Sequence, residues 1–331
     1  MTMQYIVRVP RFDSAKVGND VAALHFVNRY TAIAAPKVIQ WDVTDQNELG
    51  SPFQIQNRIP GTPLLSTYPN LTHAERCRLA HELGTVFAEM LAVKGSIAGV
   101  FVLPSHNNCQ AQESQINIGP LRHNDAKSHP SSQPFSSSAP TMTVFELLTG
   151  CLQVQKEYGL LRSPPLAWKI EQIDQFMAMV SELDEDGWLV NDHFSLAHLD
   201  FHPRNLLVNP TSDTQLPILS AVLDWDSAII GPMFMSCQPP LWLWGWLDDD
   251  DEDEQTANDV PPTAEPRELK ELFENAAGPD YLRFAYQPAY RLARQLVNFI
   301  LKPIRSHEEY KEANIMLQEW EAIRKARISA T

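Results

Sequence analysis

The chain has 331 residues, enough for one large domain or two ordinary ones, and its balance of 44% hydrophobic and 20% charged residues is that of a globular chain rather than a disordered one. The formal net charge is −15, and seven consecutive acids, DDDDEDE at 248–254, carry almost half of it. An acidic chain with no basic patch is a poor binder of nucleic acid, and with no apolar run of about 18 residues or more no membrane span is expected.

The apolar part of the N-terminus is too short for a secretory signal. Cys77, Cys109, Cys151 and Cys237 are widely spaced without a CxxC pair, which points away from a zinc ribbon or disulfide framework and towards a reducing, cytoplasmic setting. Residues 4–9 (QYIVRV) alternate and are β-branched enough for a strand, ended by Pro10. From Asn19, read as a cap, DVAALHFVNRY has helical spacing. KVIQWDV and FQIQNRI are strand-like runs around the turn-rich DQNELGSP, and IPGTPL should break regular structure. Residues 71–93 then predict a long amphipathic helix capped by Thr72 and stopped near Gly95.

Residues 122–141 (RHNDAKSHPSSQPFSSSAPT) are Ser/Pro-rich without periodicity and are expected to form a disordered insertion. Two helical stretches follow, TVFELLTGCLQVQKEYGLL and LAWKIEQIDQFMAMVSELDE. After them come a polar cluster at 198–205, the strand ILSAVLDW, the Trp/Pro-rich QPPLWLWGW and an acidic loop near 248–262, expected to be solvated. Helices are expected from Tyr281 onward. No internal repeat is visible.

The polar cluster, HLDFHPRNLLV, admits three readings. His198, Asp200 and His202 alternate, so an extended segment would put them on one face as metal ligands of a hydrolase, although no further His, Cys or Glu at ligand spacing joins them. A purely structural cluster, with His and Asp satisfying each other, is the second. The third treats Asp200 and Asn205 as D-x-x-x-x-N, with Asp224 at the end of a later strand. Phosphoryl transfer needs a carboxylate to orient the acceptor hydroxyl, and an amide oxygen with a second carboxylate to hold Mg²⁺. The pattern H-x-D-x-x-x-x-N, an apolar run and hydrophobic-Asp favours this last reading.

HLDFHPRNLLV together with AVLDWDSAIIGP resembles the aminoglycoside phosphotransferase family, the small-molecule branch of the protein-kinase-like fold, and is most similar to its fungal-type subgroup. IVRVP, DVAAL, PKVIQWD, LGSPFQIQNRIPGTPL, INIGPL and QPPLWLW extend the resemblance in order over nearly the whole chain. It implies an α+β, two-lobe fold, with a reduced N-terminal β lobe over 1–59 and a mainly helical lobe over 60–331. It implies ATP and Mg²⁺ as cofactors and a small-molecule acceptor that the sequence does not name. Asp200 would be the catalytic base or hydroxyl orienter, Asn205 and Asp224 the Mg²⁺ ligands, and His198 and His202 supports of the loop. Asn57, Arg58 and Ile59 would meet adenine through their backbone at the hinge.

Two departures stand beside these matches. Arg8 takes the place of the family's phosphate-anchoring lysine, as the fungal-type subgroup often has it, and Asp20 that of the partner glutamate. The two strands and phosphate-covering loop that usually precede Arg8 have no sequence in the seven residues before it, and no glycine pattern replaces them. Two functional readings follow: an ATP-dependent phosphotransferase acting on a hydroxyl of a small molecule, or a catalytically impaired kinase-like binding protein.

Overall fold

The computed structural model describes residues 4–10, 15–103, 116–121, 133–134, 142–161, 167–190, 192–211, 213, 215–246, 254–302 and 304–330. Strand β1 (Tyr5–Arg8) is followed by helix α1 (Ala15–Tyr30), β2 (Val38–Asp42) and β3 (Phe53–Asn57). These strands make an antiparallel sheet in the order β1-β3-β2, with Arg8 opposite Gln54. Helix α1 begins before Asn19, which lies inside it instead of capping it. Val17, Val21 and Leu24 are all buried, so the apolar periodicity already starts at Val17.

The IPGTPL segment is not irregular throughout. It contributes the two-residue strand β4 (Thr62–Pro63) and a single helical turn, α2 (Leu64–Thr67). Helix α3 (His73–Ala92) starts where the sequence puts it. The Thr72 hydroxyl accepts from the Glu75 N–H, and the Glu75 carboxylate accepts from the Thr72 N–H at 2.8 Å, closing a capping box. The helix ends at Ala92, with Gly95 just past it. The chain turns extended at Val93, and Gly95 exchanges backbone hydrogen bonds of 2.8 and 2.9 Å with Phe194.

Next come β5 (Gly99–Val102), β6 (Asn117–Gly119), β7 (Gln133–Pro134), α4 (Val144–Leu160), α5 (Ala167–Glu185) and β8 (Phe194–Ala197). Strands β9 (Leu206–Val208), β10 (Leu219–Val222) and β11 (Ile229–Pro232) complete two further antiparallel sheets, β10-β9-β4 and β7-β6-β5-β11-β8. Apart from β7, the insertion expected at 122–141 lies outside the described residues.

The last elements are α6 (Trp242–Gly245), α7 (Ala264–Ala285), α8 (Pro288–Leu301) and α9 (His307–Ala330). Helix structure begins well before Tyr281. Leu269, Phe273 and Ala277 are buried four residues apart, too sparsely among acids to signal a helix in the sequence, and Gly278 at φ 83° kinks the helix before Pro279. Of the acidic run, residues 248–253 lie outside the described residues. Glu254 is not a solvated acid: it opens a short 3₁₀ turn and forms an ion pair with the buried Arg294.

One contiguous apolar core runs through the chain, and Phe26 of α1 meets Phe101 of β5 with ring centroids 4.8 Å apart. The most extensive helix pairing is α3 with α7. It is close because Gly84 has no side chain: a Cβ there would stand 2.4 Å from the Phe273 carbonyl oxygen and 2.7 Å from Ala276 Cβ. No helix among the described residues is long and apolar enough to cross a membrane. Backbone and a short side chain cannot yield far, so Gly84→Ala should lower stability by about 1–3 kcal/mol, the usual range for overpacking. Urea denaturation measures it, and a midpoint equal to that of the wild type would refute the close approach of α3 and α7.

Candidate active site

Strand β8 leads into the buried His198, whose ring is held on both nitrogens. Nε2–H donates to the Leu223 carbonyl at 2.8 Å, and Nδ1 accepts from the Asp200 N–H at 3.2 Å. Burial pushes its pKa down, which keeps the ring neutral, as this donor–acceptor pattern requires. With both nitrogens spent, His198 has no lone pair for a metal. Among the described residues, His198, Asp200 and His202 do not form a metal-ligating group, so the hydrolase reading of H-x-D-x-H fails.

After Asp200 the chain makes a single 3₁₀ turn, Pro203–Asn205, begun by Pro203. His202 caps it, with Nδ1 accepting the Arg204 N–H at 3.3 Å. The turn folds Asn205 back on Asp200: Nδ2 donates to the Asp200 carbonyl at 2.9 Å and to Oδ2 of its carboxylate at 2.8 Å. Both amide donors are thereby used, which leaves Oδ1 as the one atom of that group a cation could take. The other Asp200 oxygen, Oδ1, accepts from the Arg204 guanidinium at 2.6 Å.

The hairpin β9–β10 then returns the chain, with Leu206 opposite Val222 and a bulge between Leu219 and Ala221. Leu223 comes out of it beside the turn, and its N–H donates to the Asn205 carbonyl at 2.7 Å. Leu223 is thus bonded at both ends to the 198–205 loop. The following Asp224 has φ 63° and ψ 55°, the only positive φ of a non-glycine among the described residues. This left-handed conformation costs an ordinary residue about 1–2 kcal/mol, and Asp tolerates it better than most. Trp225 holds the bend, fully buried, donating Nε1–H to the Val222 carbonyl at 3.0 Å and meeting His198 edge-on at 4.7 Å.

From the other end of the chain Arg8 reaches this bend. One guanidinium nitrogen donates to Asp20 at 2.9 Å and another to Asp224 Oδ1 at 2.8 Å. Asp20 also accepts from Gln54 of β3. Burial pushes the Asp20 carboxyl up to about 6, against the opposing pull of Arg8 and Gln54. Asp226 pairs with Lys16 at 3.3 Å. Asn57 and Arg58 are not drawn into this network: their N–H groups donate to the Lys37 and Gln4 carbonyls at 3.1 and 2.9 Å, and Ile59 follows them at the end of β3.

The model of a phosphotransferase enzyme family matches residues 2–235. The chain belongs to that family. No curated protein matches it. Among solved structures, it is similar to the ADP-bound aminoglycoside phosphotransferase APH(2″)-Ib, with 16% identity and a TM-score of 0.50 over 95% of this chain and 86% of that one. A complex of APH(2″)-IIa with streptomycin and ATP matches at 15% identity and a TM-score of 0.49, over 96% and 85%. At such identity the first likeness shows the fold alone. That fold, mixed helix and sheet with a helical C-terminal part, is the kinase-like fold that the sequence resemblance implied.

In this family member a cleft of about 350 Å³ opens beside Asp200, walled by Phe87, Met90, Met235 and Pro240 and by the polar Ser236, Gln238, Arg294 and Asn298. Sequence reasoning assigned nothing to Arg204, Gln54 or Arg294. Arg204 had a signal, a base four residues after an acid, and Gln54 another, a polar residue at the inward position of a strand. Arg294 had none, because its partner Glu254 is joined to it only by folding.

The Asp20 carboxyl titrates near 3.8 when unfolded and near 6 when folded. Between those values the folded chain holds a proton that the unfolded chain has released. Stability therefore falls as pH rises through about 4 to 6, by on the order of 3 kcal/mol from this group. Urea titrations across that range should show the fall in the wild type and a flatter profile in Asp20→Asn. Identical slopes in the two proteins would refute the assignment.

Proposed function

We propose that the chain transfers the γ-phosphoryl group of ATP to a hydroxyl of a small molecule held in the cleft beside Asp200. The observation that carries this reading is the pair of hydrogen bonds that the Leu223 backbone makes, accepting from His198 and donating to Asn205, which joins the Asp200–Asn205 turn to the bend of Asp224. Family membership supports it, since three polar groups needed for phosphoryl transfer stand on loops tied to one another.

In this reading Asp200 accepts the hydrogen bond of the acceptor hydroxyl. As that oxygen bonds to the γ-phosphorus, the bond to the β–γ bridging oxygen breaks, ADP leaves with the electron pair, and the hydroxyl proton passes to Asp200. Arg204 bonds one Asp200 oxygen in the resting chain, and that carboxylate keeps lone pairs for the acceptor hydroxyl beside it. Asn205 Oδ1 and the Asp224 carboxylate are hard oxygen donors of the kind Mg²⁺ takes. Mg²⁺ bound there supplies positive charge against the phosphate oxygens. Arg8 sets Asp224 and, with five donors and a side chain 40% exposed, keeps N–H groups for a phosphate. At the hinge, adenine would meet the backbone of Asn57, Arg58 and Ile59. The boundary between the lobes falls at 59/60 in this reading, and the setting is a reducing cytoplasm, which supplies ATP and suits Cys77, Cys151 and Cys237, none of them in a disulfide.

The impaired, binding-only reading draws on the Arg204–Asp200 pair, which ties the base. Two variants separate the readings. Asp200→Ala should cut phosphoryl transfer, assayed with ATP and a panel of hydroxylated small molecules, by about 10²–10⁴-fold while sparing Mg·ATP affinity in calorimetry. Asp224→Ala should weaken Mg·ATP binding itself. A wild-type chain that binds no Mg·ATP at millimolar concentration would sink the enzyme reading.

A further inference from the structure

Away from the cleft, the start of α3 faces the start of α7. His73 and Cys77 are four residues apart on α3, so their side chains stand one above the other on one face. Glu265 and Glu268, three apart on α7, present carboxylates to them. His73 Nε2 lies 2.8 Å from Glu268 Oε2 and 3.4 Å from Cys77 Sγ, and His73 Nδ1 lies 3.9 Å from Glu265 Oε2. One donor atom from each of His73, Cys77 and Glu268 falls within 4.8 Å of the other two.

We propose that His73, Cys77 and Glu268, with water as the fourth donor, form a zinc site that pins α3 to α7. Zinc bonds of about 2.0–2.3 Å in a tetrahedron put ligand atoms roughly 3.3–3.8 Å apart, so the cluster needs only small side-chain adjustments. The donor set selects the metal: a thiolate and an imidazole suit zinc and not Mg²⁺, whereas the oxygen donors Asn205 and Asp224 suit the reverse. Electrostatics favours a cation as well. The carboxylates of Glu265 and Glu268 both face His73, and a divalent ion held there offsets their charge. The site is independent of the phosphotransferase reading. Its consequence is mechanical, because α7 is the helix against which Gly84 lets α3 lie.

The test titrates the purified full chain, first stripped with a chelator, with Zn²⁺ and with Co²⁺. One zinc per chain is expected, with a zinc-dependent rise in the thermal midpoint. Cobalt should give a thiolate-to-metal charge-transfer band that Cys77→Ser removes. His73→Ala and Cys77→Ser should each weaken zinc binding by at least the roughly tenfold that loss of even a supporting group costs. Both should leave Mg·ATP affinity unchanged. Glu268→Gln, at an exposed position, gives a variant whose folding is not at stake and should also bind more weakly. Absence of zinc binding at micromolar concentration overturns the proposal. So does zinc that survives Cys77→Ser and disappears in His202→Ala, which would put the metal on the 198–205 loop.

Discussion

The geometry of the site depends on the two hydrogen bonds of Leu223. Its N–H is held by the Asn205 carbonyl and its carbonyl by the buried imidazole of His198. Two loops separated in sequence by a hairpin are thereby fixed at a spacing set by backbone atoms, not by flexible side chains. A neutral, buried His198 suits this work, since one ring nitrogen donates across the gap while the other receives the Asp200 N–H. The strained conformation of Asp224 is sustained because Leu223 on one side and Trp225 on the other leave the chain no alternative path.

Charge is arranged around that lock in two layers. Arg8 couples the first strand to the bend of Asp224, 216 residues away, and its other contact is a carboxylate buried under β3. An acid held at about 6 by burial is a costly element, and it persists because the Arg8 guanidinium and Gln54 both face it. Arg294 does comparable work on the far wall of the cleft. It gathers the carbonyls of Phe234, Phe284 and Ala285 and the carboxylate of Glu254 around one guanidinium, so a polar wall stands beside an apolar core.

Much of the site was legible because its logic is local. The spacing of His198, Asp200 and Asn205 is closed within one turn, and a single hairpin, β9–β10, returns Asp224. Elements with caps or clear periodicity, such as α3 behind Thr72 and the strands around Gln54, were legible for the same reason. Helix α7 was not, because its buried residues are sparse and its stability comes from lying on Gly84, a partner that no window of sequence contains. Asn19 misled in the opposite way. A residue with good capping chemistry was overruled by Val17, whose burial extends the helix past it.

The sequence by itself determined what neighbours within a few residues can decide: which polar groups share the 198–205 turn, where α3 begins, and which runs alternate as strands. Only the tertiary structure decided the long-range partners. Arg8 with Asp20 and Asp224, Arg204 drawn to Asp200, Glu254 with Arg294, and His73 and Cys77 facing Glu268 are pairings of charges and donors whose separations are set by core packing. Local propensity acts over one or two turns of chain, whereas an ion pair needs its members within about 4 Å, and that distance exists only after the apolar core has closed.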